Sequence, residues 1–304
     1  MTFTFLVALW AVFFPWVTPI VAYSQAPKSN QPSSVLATTP AARYFSQKAM
    51  CERDASVISE LVNATQDPHD FSLTPSHRMK LEEAAIVIWV GPNYEEFLNP
   101  ILKSKGKEKV WISLLDSITL VPRVELESDP HFWLNPDLAL EAVQKLQTKL
   151  IQHQVLDAAQ ATRCFQKFQK MVSTQSDALR KSWSKAVKGP VSFATVHAGY
   201  HHFAAAFGVQ ILPLFGGQHH VHLSPSLLRE KVKWVRNTGV KFVFLDPETP
   251  PKIQTVVTKD LGLKVAGKLK SDSWSAQSGG NLDPLVEMWQ SNVAQVIKSP
   301  LVIK

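Results

Sequence analysis

The triplet Asp-Pro-His occurs twice in this chain, at Asp67-Pro68-His69 and at Asp129-Pro130-His131. An aromatic residue follows each copy, Phe71 and Phe132, and then a proline that suits a first helical turn, Pro75 and Pro136. An imidazole carried by such a stiffened loop points in a fixed direction, as metal ligation requires, and neutral imidazole is a common zinc ligand. One Asp-Pro-His alone would pass as an ordinary loop. Two copies in equivalent settings point to a shared chemical role. A third candidate, His197, ends the apolar run Val191 to Val196 and opens the helical stretch His197 to Phe203. The carboxyl ends of strands are where α/β folds place ligands. His201, four residues on, would share a helix face with His197.

Elements must exist that hold these residues. Short apolar runs suggest strands at Val35 to Thr39, Val57 to Val62, Ala85 to Val90 and Val110 to Leu115. A second set lies at Val191 to Val196, Val209 to Phe215, Val240 to Leu245 and Leu263 to Leu269. Helical patterns such as Pro75 to Ala84 and Leu227 to Thr238 fall between them. Alternation of this kind predicts α/β units on mostly parallel sheets. Between the two sets, Leu156 to Val187 contains no Gly or Pro and is closed by Gly189-Pro190, which predicts one long helix.

Composition bounds the answer. The chain has 304 residues, 45% hydrophobic and 19% charged, with a net charge of +7. That is enough apolar material for one large core or two ordinary ones, and it excludes a disordered chain. Two cysteines exclude a Cys-based zinc cluster. The positive charge is diffuse, and the basic stretch Lys103 to Lys109 is interrupted by Gly106 and Glu108, so no nucleic-acid partner is expected. Only Phe3 to Ala22 is long and apolar, and Pro15 and Pro19 interrupt it. With small residues at Ala22 and Ser24, residues 1–24 read as a cleavable signal peptide, although no Lys or Arg precedes the apolar run. Residues 25–34 read as a disordered lead-in. An exported, periplasmic chain follows from this, and in such a compartment Cys51 and Cys164 form either a disulfide or two buried thiols.

Taken together, these segments resemble the zinc- and manganese-binding solute receptors of bacterial ABC importers, the ZnuA/TroA-like family. The likeness runs through Asp67 to Phe71, Leu81 to Gly91 with Pro92-Asn93-Tyr94-Glu95, Asp129 to Pro136, the His197 strand end with the Gly208 turn, and Val243-Phe244-Leu245-Asp246-Pro247. The resemblance implies two α/β lobes with mostly parallel four-stranded sheets, residues 35–155 and 189–304. One long helix, 156–188, would bridge them, with the metal in the cleft between. It implies a periplasmic receptor that delivers its ion to a membrane permease, and neither an enzyme nor a binder of small organic substrates. A monomer is expected.

His69, His131 and His197 match the family's ligand positions. The fourth ligand in the family is usually a carboxylate in a loop after the last strand, and two residues compete. Asp283, ahead of Pro284 and the helical run Leu285 to Ile297, has a complete explanation as an N-cap. Asp272 follows the strand ending at Leu269 and is preferred, with Asp283 as the alternative. Three imidazoles and one carboxylate suit tetrahedral Zn²⁺. Mn²⁺ prefers more oxygen, and manganese receptors of the family usually carry a carboxylate where this chain has His197. A zinc hydrolase is the remaining alternative, but four protein ligands leave no open position and no His-Glu-x-x-His helix is present. The segment His219-His220-Val221-His222, after Gly216-Gly217, reads either as an auxiliary metal-capture loop or as a plain solvated one. His77 and His153 read as surface helix residues, and Trp89 and Trp133 as the tryptophans nearest the site.

Overall fold

A computed structural model describes residues 34–51, 58–104, 109–119, 129–216, 224–272, 274 and 282–302. The predicted leader, nearly all of the lead-in and the His219-His220-Val221-His222 segment lie outside the described residues. Among the described residues no helix is long and apolar enough to cross a membrane.

Eight strands form where the apolar runs predict them. β1 (Val35–Ala37), β2 (Ile58–Glu60), β3 (Ile86–Trp89) and β4 (Val110–Ser113) make one sheet in the order β2-β1-β3-β4. β5 (Ser192–Thr195), β6 (Gln210–Pro213), β7 (Phe242–Leu245) and β8 (Lys264–Lys268) make a second in the order β6-β5-β7-β8. Every recorded pairing is parallel, so both sheets have the same topology. In such an order the chain leaves the first strand on one side and returns on the other, and the carboxyl ends at that switch form a crevice. The inner strands β1, β3, β5 and β7 are largely buried on both faces, whereas β2 and β8 at the edges are partly exposed.

The helices are capped by residues the sequence supplies. Thr39 begins α1 (Pro40–Ala49), Thr74 begins α2 (Pro75–Glu83) and Asn135 begins α4 (Pro136–Gln152), each with Pro in the first turn. α3 (Asn99–Ser104) is a short connection before β4. His77 completes the cap of α2: its Nδ1 accepts from Thr74 N at 3.1 Å while its own N–H bonds the Thr74 hydroxyl. His153 is the C-cap of α4.

The long helix, α5, spans Ala158–Ala186. Its buried stripe is Ala161, Cys164, Phe168, Val172, Ser176 and Leu179, at spacings of three and four that keep one face inward. That face leans on α1 and α4 of the first half and on α9 (Pro284–Lys298) of the second. Near the carboxyl end of α5, Trp183 packs on Phe207 of α6 (His201–Phe207) with ring centres 5.2 Å apart. α7 (Pro225–Thr238) and α8 (Pro251–Thr255) flank the second sheet. One continuous core runs through the inner faces of both sheets and this helix. Separate apolar layers cover the outer face of each sheet.

Cys51 and Cys164 are joined in a disulfide, with Cα atoms 4.9 Å apart, tying the end of α1 to α5. The bond closes a loop of 113 residues in sequence, which removes much of the freedom of the unfolded chain. Replacing both cysteines by serine is expected to lower stability by about 2–5 kcal/mol, measured by urea unfolding. Unfolding midpoints that coincide for parent and variant would show that the link contributes nothing.

Candidate metal centre

The loops leaving the carboxyl ends of the strands meet at one place. His69 lies on the loop after β2 and His131 on the loop entering α4. His197 follows β5, and Asp272 follows β8. One ligand atom from each of His69, His131 and His197 lies within 4.8 Å of the other two. The ring centres are 5.5 Å apart for His69 and His131, 5.8 Å for His69 and His197, and 4.9 Å for His131 and His197. His131 and His197 are buried and His69 is half-buried. Zn–N bonds of about 2.0–2.1 Å in a tetrahedron place donors about 3.3 Å apart, so a small inward turn of the rings would close on an ion.

Backbone space is part of the fit. Gly199 passes so close to the rings that a Cβ there would overlap both the His197 and the His131 imidazoles. Only glycine leaves room for this approach. Residues 197–200 form a turn and α6 begins at His201, which corrects the expectation that His197 and His201 share a helix face. Gly208, with φ of +67°, ends α6 in the left-handed region.

The two candidate carboxylates have different surroundings. Asp272 Oδ2 is 3.2 Å from His131 Nε2 and accepts from the Ser271 hydroxyl at 2.6 Å. Its Oδ1 accepts from the Tyr94 hydroxyl at 2.8 Å. The loop that carries it is pinned from behind. Trp133 Nε1 donates to Ser271 O at 2.7 Å, and the Asn292 side chain pairs with both backbone groups of Lys270 at 2.8 Å. Asp283 instead caps α9. It accepts from Leu285 N at 3.0 Å and from the Tyr44 hydroxyl at 2.7 Å, and pairs with Lys48 Nζ at 2.9 Å.

More carboxylates stand behind the rings. Asp129 Oδ1 lies 2.7 Å from His131 Nδ1, and Asp246 Oδ1 lies 3.8 Å from His197 Nδ1. The Tyr200 hydroxyl donates to Asp246 at 2.6 Å. Burial works against a charge on His131, but the Asp272 and Asp129 carboxylates outweigh it and raise its pKa to about 10. Burial alone would raise the pKa of Asp129, yet hydrogen bonds from His131 and His201 hold it well below the usual carboxylate range. In the protein without an ion, the field therefore favours positive charge where a cation would sit. Three imidazoles, an adjacent carboxylate and this field together fit a divalent metal.

Tyr94 and Glu95 have site roles that sequence reading missed. Tyr94 is fully buried, stacks edge-on with His69 at 4.8 Å, and orients Asp272. Glu95 anchors this turn by accepting from Thr38 at 2.6 Å and from the N–H groups of Val90 and Gly91 at 3.0 Å. Burial raises its pKa to about 7 despite those donors. Their only signal was membership of the Gly91-to-Glu95 turn. Trp133 stacks on His131 at 5.2 Å, but Trp89 belongs to the apolar layer with Leu36 and Val87, away from the rings. His202 is buried and its Nε2 meets Asp129 O at 2.9 Å. A cavity of about 270 Å³ is lined by Asp67, Pro68, Glu248, Pro250 and Asp272 among others, and so shares Asp272 with the site.

A family model described as the periplasmic component A of a zinc-uptake complex matches residues 35–299. The iron-binding protein YfeA of Yersinia pestis is 23% identical over 233 residues, covering 74% of each chain. The zinc-binding lipoprotein AdcA of Streptococcus pneumoniae is 21% identical over 228 residues, 69% of this chain but 45% of the relative. The chain therefore spans about half the length of the streptococcal relatives it matches. The solved periplasmic zinc-binding protein TroA of Treponema pallidum shares the fold with a TM-score of 0.72 at 18% identity, covering 88% of this chain and 99% of that one.

Two expectations follow from this geometry. Asp272→Ala should weaken zinc binding by orders of magnitude with little change in melting temperature. Asp283→Ala should cost about 1 kcal/mol of stability and leave zinc affinity nearly intact. The opposite pattern in paired melting and zinc-competition assays would exchange their roles. Because the His131 pKa is raised to about 10 in the ion-free protein, an ion has to displace its proton. Zinc affinity should then rise with pH up to that value. Calorimetry in buffers of different ionisation enthalpy should record about one proton released at neutral pH. A heat independent of the buffer would rule this out.

Proposed function

This chain belongs to the family of periplasmic zinc-uptake complex component A proteins, and we propose that it captures Zn²⁺ in the cleft and delivers it to the membrane permease of an ABC importer. His69, His131 and His197 supply the nitrogens and Asp272 the carboxylate oxygen. The observation that carries this reading is the convergence of three imidazoles within 4.8 Å at the carboxyl ends of two parallel sheets. Three nitrogens and one oxygen match the tetrahedral preference of zinc better than the oxygen-rich shell of manganese. Names of the relatives support a metal receptor: zinc for AdcA and TroA, iron for YfeA.

Export follows from the apolar segment Phe3 to Ala22, read as a cleaved leader that delivers the chain to the periplasm. A disulfide between Cys51 and Cys164 suits that oxidising compartment. A hydrolytic role is disfavoured by the site itself. Catalytic zinc keeps one position for water and needs a base beside it. Here a fourth donor stands beside His131, and Asp246 is occupied by the Tyr200 hydroxyl.

Incubation of the ion-free protein with equimolar Zn²⁺, Mn²⁺, Fe²⁺, Co²⁺ and Ni²⁺, followed by elemental analysis, should recover one equivalent of zinc. His131→Ala should lower zinc affinity at least a hundredfold in competition titrations. Retention of manganese or iron in place of zinc would change the cargo. Parent-like titration of His131→Ala would overturn the site.

A further inference from the structure

The two Asp-Pro-His copies share a local turn but not a tertiary role. In each, the aspartate side chain accepts from the backbone N–H of the histidine two residues later, at 2.9 Å from Asp67 to His69 and from Asp129 to His131. Beyond that turn they diverge. Asp67 lines the mouth of the cleft beside Glu248. Asp129 is buried in the seam between the two halves.

The oxygens of Asp129 serve both halves. Oδ1 holds His131 Nδ1 at 2.7 Å. Oδ2 accepts from the backbone N–H of His201 at 2.8 Å and lies 3.3 Å from the same residue's Nδ1. Its backbone carbonyl meets His202 Nε2 at 2.9 Å. His201 and His202 open α6, four and five residues past His197. The intervening turn is held at its other end by the Thr195 hydroxyl, which donates to His197 O at 2.7 Å. Gly199 lies in that turn against both imidazoles.

We propose that Asp129 is a positioning residue that fixes the tautomer of His131 and latches the His131 loop of the first half to the His197 turn of the second. With Nδ1–H given to Asp129, only Nε2 is left to face the ion, on the side where Asp272 stands. A ligating histidine whose other nitrogen is held by a carboxylate is more basic and better aimed, and loss of such a partner costs about 10–100-fold in metal affinity. The second oxygen adds a contact between the halves beside both His131 and His197. Asp129 therefore governs how fast a captured ion leaves as well as how tightly it is held. This inference rests on the zinc site proposed above.

Asp129→Asn is the test, with Asp67→Asn as its matched control. An asparagine keeps the local turn but offers one acceptor oxygen, so it cannot serve both His131 and the His201 N–H. Expected for Asp129→Asn are a 10–100-fold loss of zinc affinity, faster release to a chelator in stopped flow, and an altered visible spectrum of the Co²⁺-loaded protein. Asp67→Asn should remain within about threefold of the parent in all three. Equal effects of the two variants, or parent-like release from Asp129→Asn, would overturn the proposal. Should Asp129→Asn fail to fold, long-range ¹H–¹⁵N correlation on the zinc-loaded parent decides: His131 should be metal-bound through Nε2 with a proton on Nδ1, and Nδ1 ligation would overturn it. A parent that binds no zinc would instead refute the zinc site itself.

Discussion

Ring nitrogens taken out of water have to be matched by something equally polar, and three imidazoles brought within 4.8 Å of one another make that demand at one point. A cation at the centre answers all of them at once. The surrounding groups are arranged as if that charge were expected. Asp272 and Asp129 flank His131, Asp246 stands behind His197, and the hydroxyls of Tyr94, Tyr200 and Ser271 donate to Asp272 and Asp246. The Asp272 and Asp129 carboxylates beside it raise the pKa of His131 against the effect of burial. The electrostatics of the site thus follow from one requirement, and the positions of the loops follow from meeting it.

Topology supplies the loops. Each sheet has its first strand inside and its later strands on both sides, so both point a crevice of loop ends the same way along the chain. The rest of the fold keeps those ends in register. α5 leans on helices from both halves, and the disulfide joins it to α1. Asp283 caps α9 and is held there by Tyr44 and Lys48 of α1. That one side chain ties the last helix of the second half to the first helix of the first. In sequence this acid resembles a ligand; in the structure it caps α9.

Much of this was legible in the sequence because local rules dictated it. All eight strands sit within the apolar runs, and α5 fills the span without Gly or Pro. Duplication of Asp-Pro-His singled out two rings, and a strand end singled out the third. What stayed hidden has no local signature. The hydrogen bond from His201 N–H to Asp129 crosses 72 positions, and that from Tyr94 to Asp272 crosses 178. Gly199 lies against two rings that come from different halves, one of them remote in sequence, so that packing has no local signature either. The helical pattern read from His197 begins only at His201. Trp89 was misplaced for a related reason: a strand residue faces whichever side its register dictates, and this one faces the outer apolar layer.

The proposed donors are divided between the halves. His69 and His131 belong to the loops of the first sheet, and His197 and Asp272 to those of the second. A catalytic zinc site keeps at least three protein ligands on the ion throughout turnover, commonly two of them on one helix. Here no two of the four proposed donors share a helix or a strand. Parting of the halves leaves two donors on each side, which is too few to hold zinc against water. With the proposed donors, an ion between the halves would have four ligands, and either half alone would supply only two. Affinity and release are then governed by the contacts across the seam rather than by the ligands alone. Asp129 and Gly199 are two places where the halves touch beside the rings, together with the contact between Asp272 and His131.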